Sequence, residues 1–179
     1  MKIPVSIVVA IDDKKGIGKN NELLFKISDD LKHFRQLTKG HAVVMGRKTY
    51  DSIVSYNGKP LPGRLNVVLS RNPNKAEISE KESPLYFRDN WDQAFDDAKE
   101  WETSHFPEDQ REIFIIGGAQ IFKHALEDNL VDKIYLTKVT GDYHADAFFP
   151  AYKDLGFKIK EKEDKESDGY SYSFITLEK

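Results

Sequence analysis

The stretch Ile116-Gly117-Gly118-Ala119-Gln120-Ile121-Phe122 carries the strongest structural signal in the sequence. An apolar run from Ile113 leads into it, and an amphipathic pattern reaching Leu126 follows it. This order predicts a buried strand that ends at two glycines and is followed by a helix. Glycine lets the backbone approach a ligand closely, and the free N–H groups of a helix N-terminus favour an anion. The stretch is consistent with a dinucleotide pyrophosphate site, although tight packing alone produces the same pattern.

Composition excludes several classes of function. The 179 residues carry a formal net charge of −3 and contain no cysteine, so disulfides, thiolate zinc sites and cysteine nucleophiles are excluded. Because no basic block is present, we expect no nucleic-acid partner. The apolar run over 5–11 is about half the length of a membrane span and has no cleavage site after it. We therefore expect a single domain over 1–179, cytoplasmic and without a membrane partner.

Neither a metal nor a covalent nucleophile is expected. The five histidines have no metal-ligand spacing, and the chain contains neither a Gly-x-Ser-x-Gly elbow nor a Walker loop.

Runs rich in Val and Ile alternate with helical patterns, which predicts an α/β fold. We expect a central sheet of about eight mostly parallel strands, four flanking helices and an antiparallel C-terminal edge hairpin around Ser167-Asp168-Gly169. Ser28 and Asn90 are expected N-caps, and the charged run over 160–166 is expected to be a solvated edge. Strands are predicted near 5–11, 41–46, 65–70, 84–87, 112–116, 132–139, 156–163 and 170–177, and helices near 29–38, 47–54, 91–102 and 119–126.

Asp30 is the acidic residue whose position most favours a ligand-binding role. At 100° per residue, Phe34 and Leu37 flank it, so it lies on the apolar stripe of the first helix. A carboxylate on that stripe needs a hydrogen-bonding or cationic partner. Asp29 points away from the stripe, and we interpret it as an ordinary acidic residue at a helix start.

Two arginines follow predicted parallel strands. Arg47 and Lys48 open the second helix, where cations oppose the helix dipole unless an anion is bound. Arg71 follows the third strand, and ligands of open α/β sheets lie at such strand ends. Arg47 and Arg71 are candidates for binding the extra phosphate of NADPH, although each alone is equally consistent with an exposed surface arginine.

In chain order, these segments resemble dihydrofolate reductase over essentially the whole sequence. Each motif is modest, and their joint order and spacing are specific. The segments are Val8-Val9-Ala10-Ile11, Gly16-Ile17-Gly18-Lys19-Asn20, Asp30-Leu31-x-x-Phe34, Val44-Met45-Gly46-Arg47-Lys48-Thr49, Pro60-Leu61-Pro62-Gly63-Arg64, Ile116-Gly117-Gly118, Ile134-Tyr135-Leu136-Thr137 and Phe149-Pro150.

The resemblance implies a monomeric antifolate target that supplies one-carbon metabolism. It would reduce 7,8-dihydrofolate to tetrahydrofolate with NADPH, by hydride transfer to C6 and protonation of N5. Asp30, helped by the Thr137 hydroxyl, would bind N3 and the 2-amino group of the pterin. Phe25 would form an aromatic wall, and Arg64 would pair with the α-carboxylate of the substrate. The other implied substrate-binding residues are Val8, Val9, Leu31, Phe34, Ile53, Leu61, Ile116 and Phe122.

The resemblance also implies where NADPH binds. The Gly117–Gly118 peptide would be cis, and residues 16–24 would form a mobile loop over the nicotinamide. The implied cofactor-binding residues are Ala10, Ile17, Gly18, Asn21, Gly46, Arg47, Lys48, Thr49, Leu69, Ser70, Arg71, Gly117, Gly118, Ala119, Gln120 and Ile121.

The sequence departs from the family pattern at a few positions. Leu24 and Phe25 stand where Pro and Trp are usual, which removes a fixed φ and an indole N–H. Phe122 replaces a usual tyrosine, Ala119 a common third glycine, and the residues over 54–58 are expected to lengthen a loop near the substrate tail.

Two other interpretations stay open. A reductase of riboflavin synthesis would share the fold and NADPH but act on a phosphorylated ribosylamino-pyrimidine, and it would not need Asp30 together with Arg64. A non-catalytic NADPH-binding protein is suggested by Phe25 and Phe122. Asp30, Thr137 and Arg64 argue against it, whereas cofactor binding without dihydrofolate binding would support it.

Overall fold

The computed structural model describes residues 2–72 and 83–179. The predicted fold class is confirmed: the described residues form an α/β fold with an eight-stranded, mostly parallel sheet and an antiparallel C-terminal hairpin. The strands are β1 (Val5–Ile11), β2 (Gly16–Lys19), β3 (Glu22–Leu23), β4 (Ala42–Gly46), β5 (Leu65–Leu69), β6 (Leu85–Arg88), β7 (Ile113–Gly117), β8 (Lys133–Val139), β9 (Ala147–Phe148), β10 (Lys158–Ser167) and β11 (Tyr170–Glu178). The helices are α1 (Ser28–Thr38), α2 (Arg47–Asn57), α3 (Trp91–His105) and α4 (Ala119–Glu127).

The chain divides into two compact units. The inserted unit comprises residues up to Val5 together with Thr38–Gly118, and the split unit comprises Ser6–Leu37 together with Ala119–Lys179.

The inserted unit is built on four parallel strands in the order β7-β4-β5-β6. All residues of β4 and β5 are buried, as expected for a parallel sheet covered on both faces. Asn90 caps α3, since its side chain accepts a hydrogen bond from the amide of Gln93. The cap predicted at Asn90 is therefore confirmed.

The split unit contains strands in the order β10-β11-β8-β1. β1 and β8 are parallel, and β11 runs antiparallel to both β8 and β10. Asp168 (φ 53°) and Gly169 (φ 79°) form the two-residue turn between β10 and β11, where both residues require the left-handed region. The expected hairpin and its turn are confirmed.

A second, small sheet was not predicted. Its strand order is β3-β2-β9, and it includes much of the segment expected to be a loop over the nicotinamide. Strands of two to four residues are too short to show the alternation by which a strand is recognised. Asn20 (φ 52°) and Asn21 (φ 60°) make the tight turn between β2 and β3.

Two local predictions are corrected. Ser28 is the first helical residue rather than the N-cap, because the amide of Leu31 already donates to the carbonyl of Ile27. The carboxylate of Asp168 accepts from the Ser28 amide at 2.8 Å. Residues 54–57 do not lengthen a loop: they extend α2 to Asn57, and Gly58 (φ 74°) ends the helix.

Candidate active site

The carboxylate of Asp30 is bonded to the neighbouring strand β8. The Thr137 hydroxyl donates to Asp30 Oδ1 at 2.6 Å, and both residues belong to the split unit. Of the described residues, only Thr137 donates a hydrogen bond to this half-buried carboxylate. A carboxylate has about four acceptor positions, so Asp30 keeps most of its capacity for an external donor.

The surroundings of Asp30 raise its pKa. Burial raises the pKa of Asp30 above its ordinary value, and the charge of Asp29 adds to that rise. The hydrogen bond from Thr137 and the proximity of His33 oppose it. A half-buried carboxyl with a raised pKa is a functional-site candidate.

The three residues of β1 that were predicted to bind substrate or cofactor lie on two different faces of the strand. Ala10 pairs in register with Thr137, and Val8 pairs with Tyr135. Because alternate residues share a face, Val8 and Ala10 lie on the face of Thr137, whereas the Val9 side chain points to the other face and is buried there. Val9 can therefore contribute only its backbone to a pocket on the Thr137 face.

Phe25 belongs to a cluster of buried residues in the split unit. Its ring is 6% exposed and packs edge-on against Tyr143 and Tyr170, with centroids 5.0 and 6.0 Å away. Leu24 packs against the same cluster, which includes Ile27. Phe25, the residue predicted to form an aromatic wall beside the pterin, is thus held in place by packing within the split unit.

The other predicted residues of the split unit vary in burial. Leu31, Phe34 and Ile17 are half-buried, and Phe122 is 2% exposed with its ring edge-on to Phe149. In the small sheet, Gly18 pairs with Ala147, and the Asp146 carboxylate accepts from the Asn20 amide at 2.9 Å. Asn21 is exposed at the β2–β3 turn, while Ala119, Gln120 and Ile121 form the first turn of α4.

Arg64 is held firmly in the inserted unit. It is 4% exposed, its Nε donates to Thr38 Oγ1 at 2.9 Å, and its Nη1 donates to the Pro62 carbonyl at 2.9 Å. The buried side chain of Asn66 donates to the carbonyls of Leu61 and Arg64 and accepts from the Leu61 amide. These bonds fix the turn that presents Arg64. Ile53 and Ile116, predicted with it, are half-buried in the same unit.

Three parallel strands of the inserted unit end at a common edge. Gly46 pairs with Leu69, and Met45 pairs with Gly117, so Arg47, Ser70 and Gly118 all follow these strand ends. The Gly117–Gly118 peptide is cis, as the resemblance implied. A Cβ added to Gly118 would lie 3.3 Å from Thr49 Oγ1, so a larger residue here would require the Thr49 side chain to shift by a few tenths of an ångström.

The first turn of α2 is suited to an anion. Its N-cap, Gly46, makes no side-chain hydrogen bond to the helix, and the turn contains no acidic residue but carries Arg47 and Lys48. Arg47 Nε is 2.8 Å from Asp51 Oδ1, one turn along the helix, and Arg71 is exposed. The structure therefore brings the predicted phosphate-binding residues of the inserted unit to one sheet edge.

Comparison with known proteins identifies the family. A family model described as dihydrofolate reductase matches residues 4–179. Dihydrofolate reductase type 3 of Salmonella typhimurium is 35% identical over 176 residues, covering 97% of this chain and 96% of the relative. The dihydrofolate reductase of Haemophilus influenzae is 36% identical over 175 residues, with 96% of each chain covered. That of Bacillus subtilis is 32% identical over 178 residues, covering 98% of this chain and 94% of the relative.

The chain belongs to the dihydrofolate reductase family. The resemblance stated from the sequence is confirmed, and membership places the chain among oxidoreductases.

Three residues that position predicted site residues or the turn before β2 were not predicted from the sequence. Asn66 and Thr38 position Arg64, and Asn66 was visible as the polar residue within the apolar run of β5. Asp12 is 1% exposed and accepts from the amides of Gly16 and Tyr143, which fixes the turn before β2. No pattern in the sequence singles out Thr38 or Asp12.

The interpretation of Asp29 is corrected by the structure. Asp29 was interpreted as an ordinary acidic residue at a helix start, but its Oδ2 accepts from the Tyr172 hydroxyl at 2.9 Å. The partner lies 143 positions away in sequence, which is why the helix pattern alone gave no sign of it.

None of the helices in the described part of the chain has the length and apolarity needed to cross a membrane. Within residues 2–72 and 83–179, no group of three or more His, Asp or Glu side chains is arranged to hold a metal ion.

Proposed function

We propose that this chain is an NADPH-dependent dihydrofolate reductase. It would convert 7,8-dihydrofolate to 5,6,7,8-tetrahydrofolate by hydride transfer to C6 and protonation of N5, and so supply one-carbon metabolism. The observation that carries the proposal is the half-buried Asp30 carboxylate, bonded to Thr137 and otherwise free to accept, in a chain of this family.

The acceptor capacity of Asp30 suits the pterin ring. N3–H and the 2-amino group lie side by side on one edge of the ring and match the two oxygens of a carboxylate. The Thr137 hydroxyl holds the carboxylate in one orientation, so that the entropy of ordering it is lost before substrate binds. Buried Arg64, with its guanidinium fixed by Thr38 and Pro62, would bind the α-carboxylate of the substrate tail.

Asp30 acts on N5 indirectly in this proposal. If the carboxylate binds the N3 edge, it is too far away to pass a proton to N5 itself. Its negative charge, in surroundings of low polarity, makes the ring more basic, and a water molecule delivers the proton. Phe25 and the other apolar residues keep bulk water from the reacting atoms.

The residues present fit NADPH. The edge formed by Gly46, Leu69 and Gly117 offers free helix amides, two cations in the first turn of α2 and a glycine without a side chain to block a ligand, which is the chemistry that a phosphate needs. When bound, NADPH supplies the hydride. The remaining proposed cofactor-binding residues are Ala10, Ile17, Gly18, Asn21, Lys48, Ser70, Arg71, Ala119, Gln120 and Ile121.

The proposal predicts where an isotope label goes. With NADPH dideuterated at C4 of the nicotinamide, the tetrahydrofolate formed from 7,8-dihydrofolate should carry one deuterium at C6 and none at N5 after exchange. Nuclear magnetic resonance of the purified product measures this directly. NADPH binding without any dihydrofolate-dependent oxidation would contradict the proposal and favour a non-catalytic NADPH-binding protein.

A second prediction concerns the choice of cofactor. Arg47→Gln should raise the Kd of NADPH by about tenfold and leave that of NADH within about twofold, because one charge-assisted hydrogen bond to the extra phosphate is lost. Fluorescence titration with both cofactors measures this. The matched control is Arg35→Gln, an exposed arginine on α1. Equal weakening of NADPH and NADH by Arg47→Gln would show that Arg47 does not bind the extra phosphate.

We also propose a single functional domain, monomeric and cytoplasmic. The continuous family match over residues 4–179, which spans both compact units, supports the single domain.

A further inference from the structure

The hairpin of β10 and β11 holds two successive residues at the start of α1. Asp168, at the tip of the hairpin, accepts from the Ser28 amide at 2.8 Å. The Tyr172 hydroxyl donates to Asp29 Oδ2 at 2.9 Å. The next residue along the helix is Asp30, so the hairpin restrains the turn that carries the proposed pterin carboxylate.

Tyr172 is a fixed point for this contact. Its side chain is 3% exposed and belongs to the buried cluster with Ile27 and Val139. Its hydroxyl is also 2.8 Å from Ser167 Oγ. A ring buried this deeply has little freedom to move, so its hydroxyl defines where Asp29 lies.

Asp29 and Asp30 are bonded to the same pair of strands. Thr137, the partner of Asp30, lies on β8, and Tyr172, the partner of Asp29, lies on the adjacent strand β11. In register, Tyr172 pairs with Val139, two residues beyond Thr137, so both hydroxyls lie on one face of the pair. A displacement of the first turn of α1 would therefore change both contacts together.

We propose that Asp29 is a positioning residue for the Asp30 carboxylate: through Tyr172 it fixes the first turn of α1 on β8 and β11, and its own charge lies beside Asp30. This inference rests on the proposed function, since it assigns to Asp29 an effect on dihydrofolate rather than on folding alone.

The charges around the two carboxylates support different roles for them, with Asp29 positioning and Asp30 binding. The hydrogen bond from Tyr172 lowers the pKa of Asp29 below its ordinary value, so Asp29 stays charged while Asp30 titrates. The pKa of Asp30 is raised, chiefly by burial and further by the charge of Asp29. Several titratable and charged groups face the pair. Lys165 Nζ of β10 is 3.4 Å from Asp29 Oδ2, and Glu163 of β10 lies near His33. The other groups are Lys32 and His33 of α1 and Tyr172 of β11.

Two variants separate the charge of Asp29 from its positioning contact. Asp29→Asn removes the charge but keeps an oxygen that accepts from Tyr172. Tyr172→Phe removes the hydroxyl but keeps the buried ring. The matched control is Asp164→Asn on the same hairpin, an exposed position where the carboxylate accepts from the hydroxyl of Ser173 across β10 and β11.

The two variants should change different quantities. Because hydride transfer to C6 is coupled to protonation of N5, its rate falls as pH rises, and removing a negative charge lowers the pKa of any nearby proton-binding group. Asp29→Asn should move the midpoint of the single-turnover pH profile down by about 0.3–0.5 pH unit. Tyr172→Phe should raise the KM for dihydrofolate by about three- to tenfold with the Kd of NADPH unchanged.

The outcomes distinguish this inference from the proposed function. Wild-type turnover together with pH profiles and KM values of both variants that match Asp164→Asn would overturn the inference and leave the proposed function standing. The same holds if the variants lower only the melting temperature. Absence of turnover in the wild-type protein would overturn the proposed function and this inference with it.

Discussion

Asp30→Asn is expected to lower the rate of hydride transfer to dihydrofolate by about 100- to 1,000-fold. The amide keeps the shape of the side chain and can still accept from Thr137, but it has no negative charge to polarise the pterin and one oxygen fewer for the donors of the ring. NADPH binding should be unchanged, because the proposed phosphate-binding residues lie elsewhere in the sequence. Single-turnover oxidation of NADPH and fluorescence titration of the cofactor measure the two quantities.

Asp164→Asn is the control, an exposed carboxylate of β10 that should leave both quantities unchanged. A parallel loss of hydride transfer and NADPH affinity in Asp30→Asn would indicate general disruption and would contradict the assigned role.

The same substitution should make the protein more stable at neutral pH. Because burial raises the pKa of Asp30 in the folded state, the folded protein binds more protons than the unfolded chain as pH rises from the ordinary value of 3.8 to the raised value. The contribution of Asp30 to the free energy of unfolding therefore falls as pH rises from 3.8 to its raised pKa, and it stays low at higher pH. Asp30→Asn removes this cost, so its gain in melting temperature should be present at pH 7 and absent below pH ~3.8.

Glu102→Leu is expected to destabilise the protein by about 3–5 kcal/mol. The Glu102 side chain is fully buried in the inserted unit. It accepts from the amide of Ala42 at 2.8 Å and that of Glu112 at 3.2 Å, and its Oε2 is 3.0 Å from His41 Nδ1. Leucine would leave these groups at the start of β4 and before β7 without an acceptor. Denaturation by urea, followed by circular dichroism, measures the change in the free energy of unfolding.

Two further variants test whether the lost hydrogen bonds of Glu102 account for the loss of stability. Glu102→Gln retains an acceptor and should cost less than Glu102→Leu, and Glu100→Gln, at an exposed position of α3, should cost about 0.5 kcal/mol or less. If Glu102→Leu cost no more than Glu100→Gln, the hydrogen bonds of Glu102 would not stabilise the fold.

Asp30 and Glu102 together show what the sequence reveals about a buried acid. Both lie on the apolar stripe of a helix: Asp30 with Phe34 and Leu37, and Glu102 with Ala94 and Ala98. Asp30 was predicted to bind a ligand, whereas no role was predicted for Glu102. Only the structure shows that Glu102 is occupied by donors of its own unit while Asp30 accepts from Thr137 alone among the described residues. Helical spacing indicates that a carboxylate is buried. Which donors form hydrogen bonds to that carboxylate depends on residues distant in sequence.

The strands of the large sheet were predictable from local sequence patterns. All eight strands of the large sheet were predicted to within about four residues. Runs of Val and Ile marked β1, β4, β5 and β7, because a strand buried on both faces is continuously apolar. The alternation of apolar and polar residues marked β10 and β11 instead. The small sheet was missed, since Gly16–Lys19 and Ala147–Phe148 carry no such run. The Asp168–Ser28 bond joins residues 140 positions apart and depends on the tip geometry of one hairpin, which no local pattern encodes.

The position of Thr137 has a consequence for how this enzyme is made. Thr137 pairs with Ala10 of β1 on one side and with Phe174 of β11 on the other, so its strand is complete only when the first and last described strands are both in place. A ribosome releases Ala10 and Asp30 long before Phe174, and the loop that must then close is among the longest in the chain. We therefore expect the strand that carries Thr137 to gain both of its neighbours only late in synthesis. A chain cut short before β11 would contain every proposed substrate-binding residue but would lack the strand beside β8 and the Tyr172 contact to Asp29.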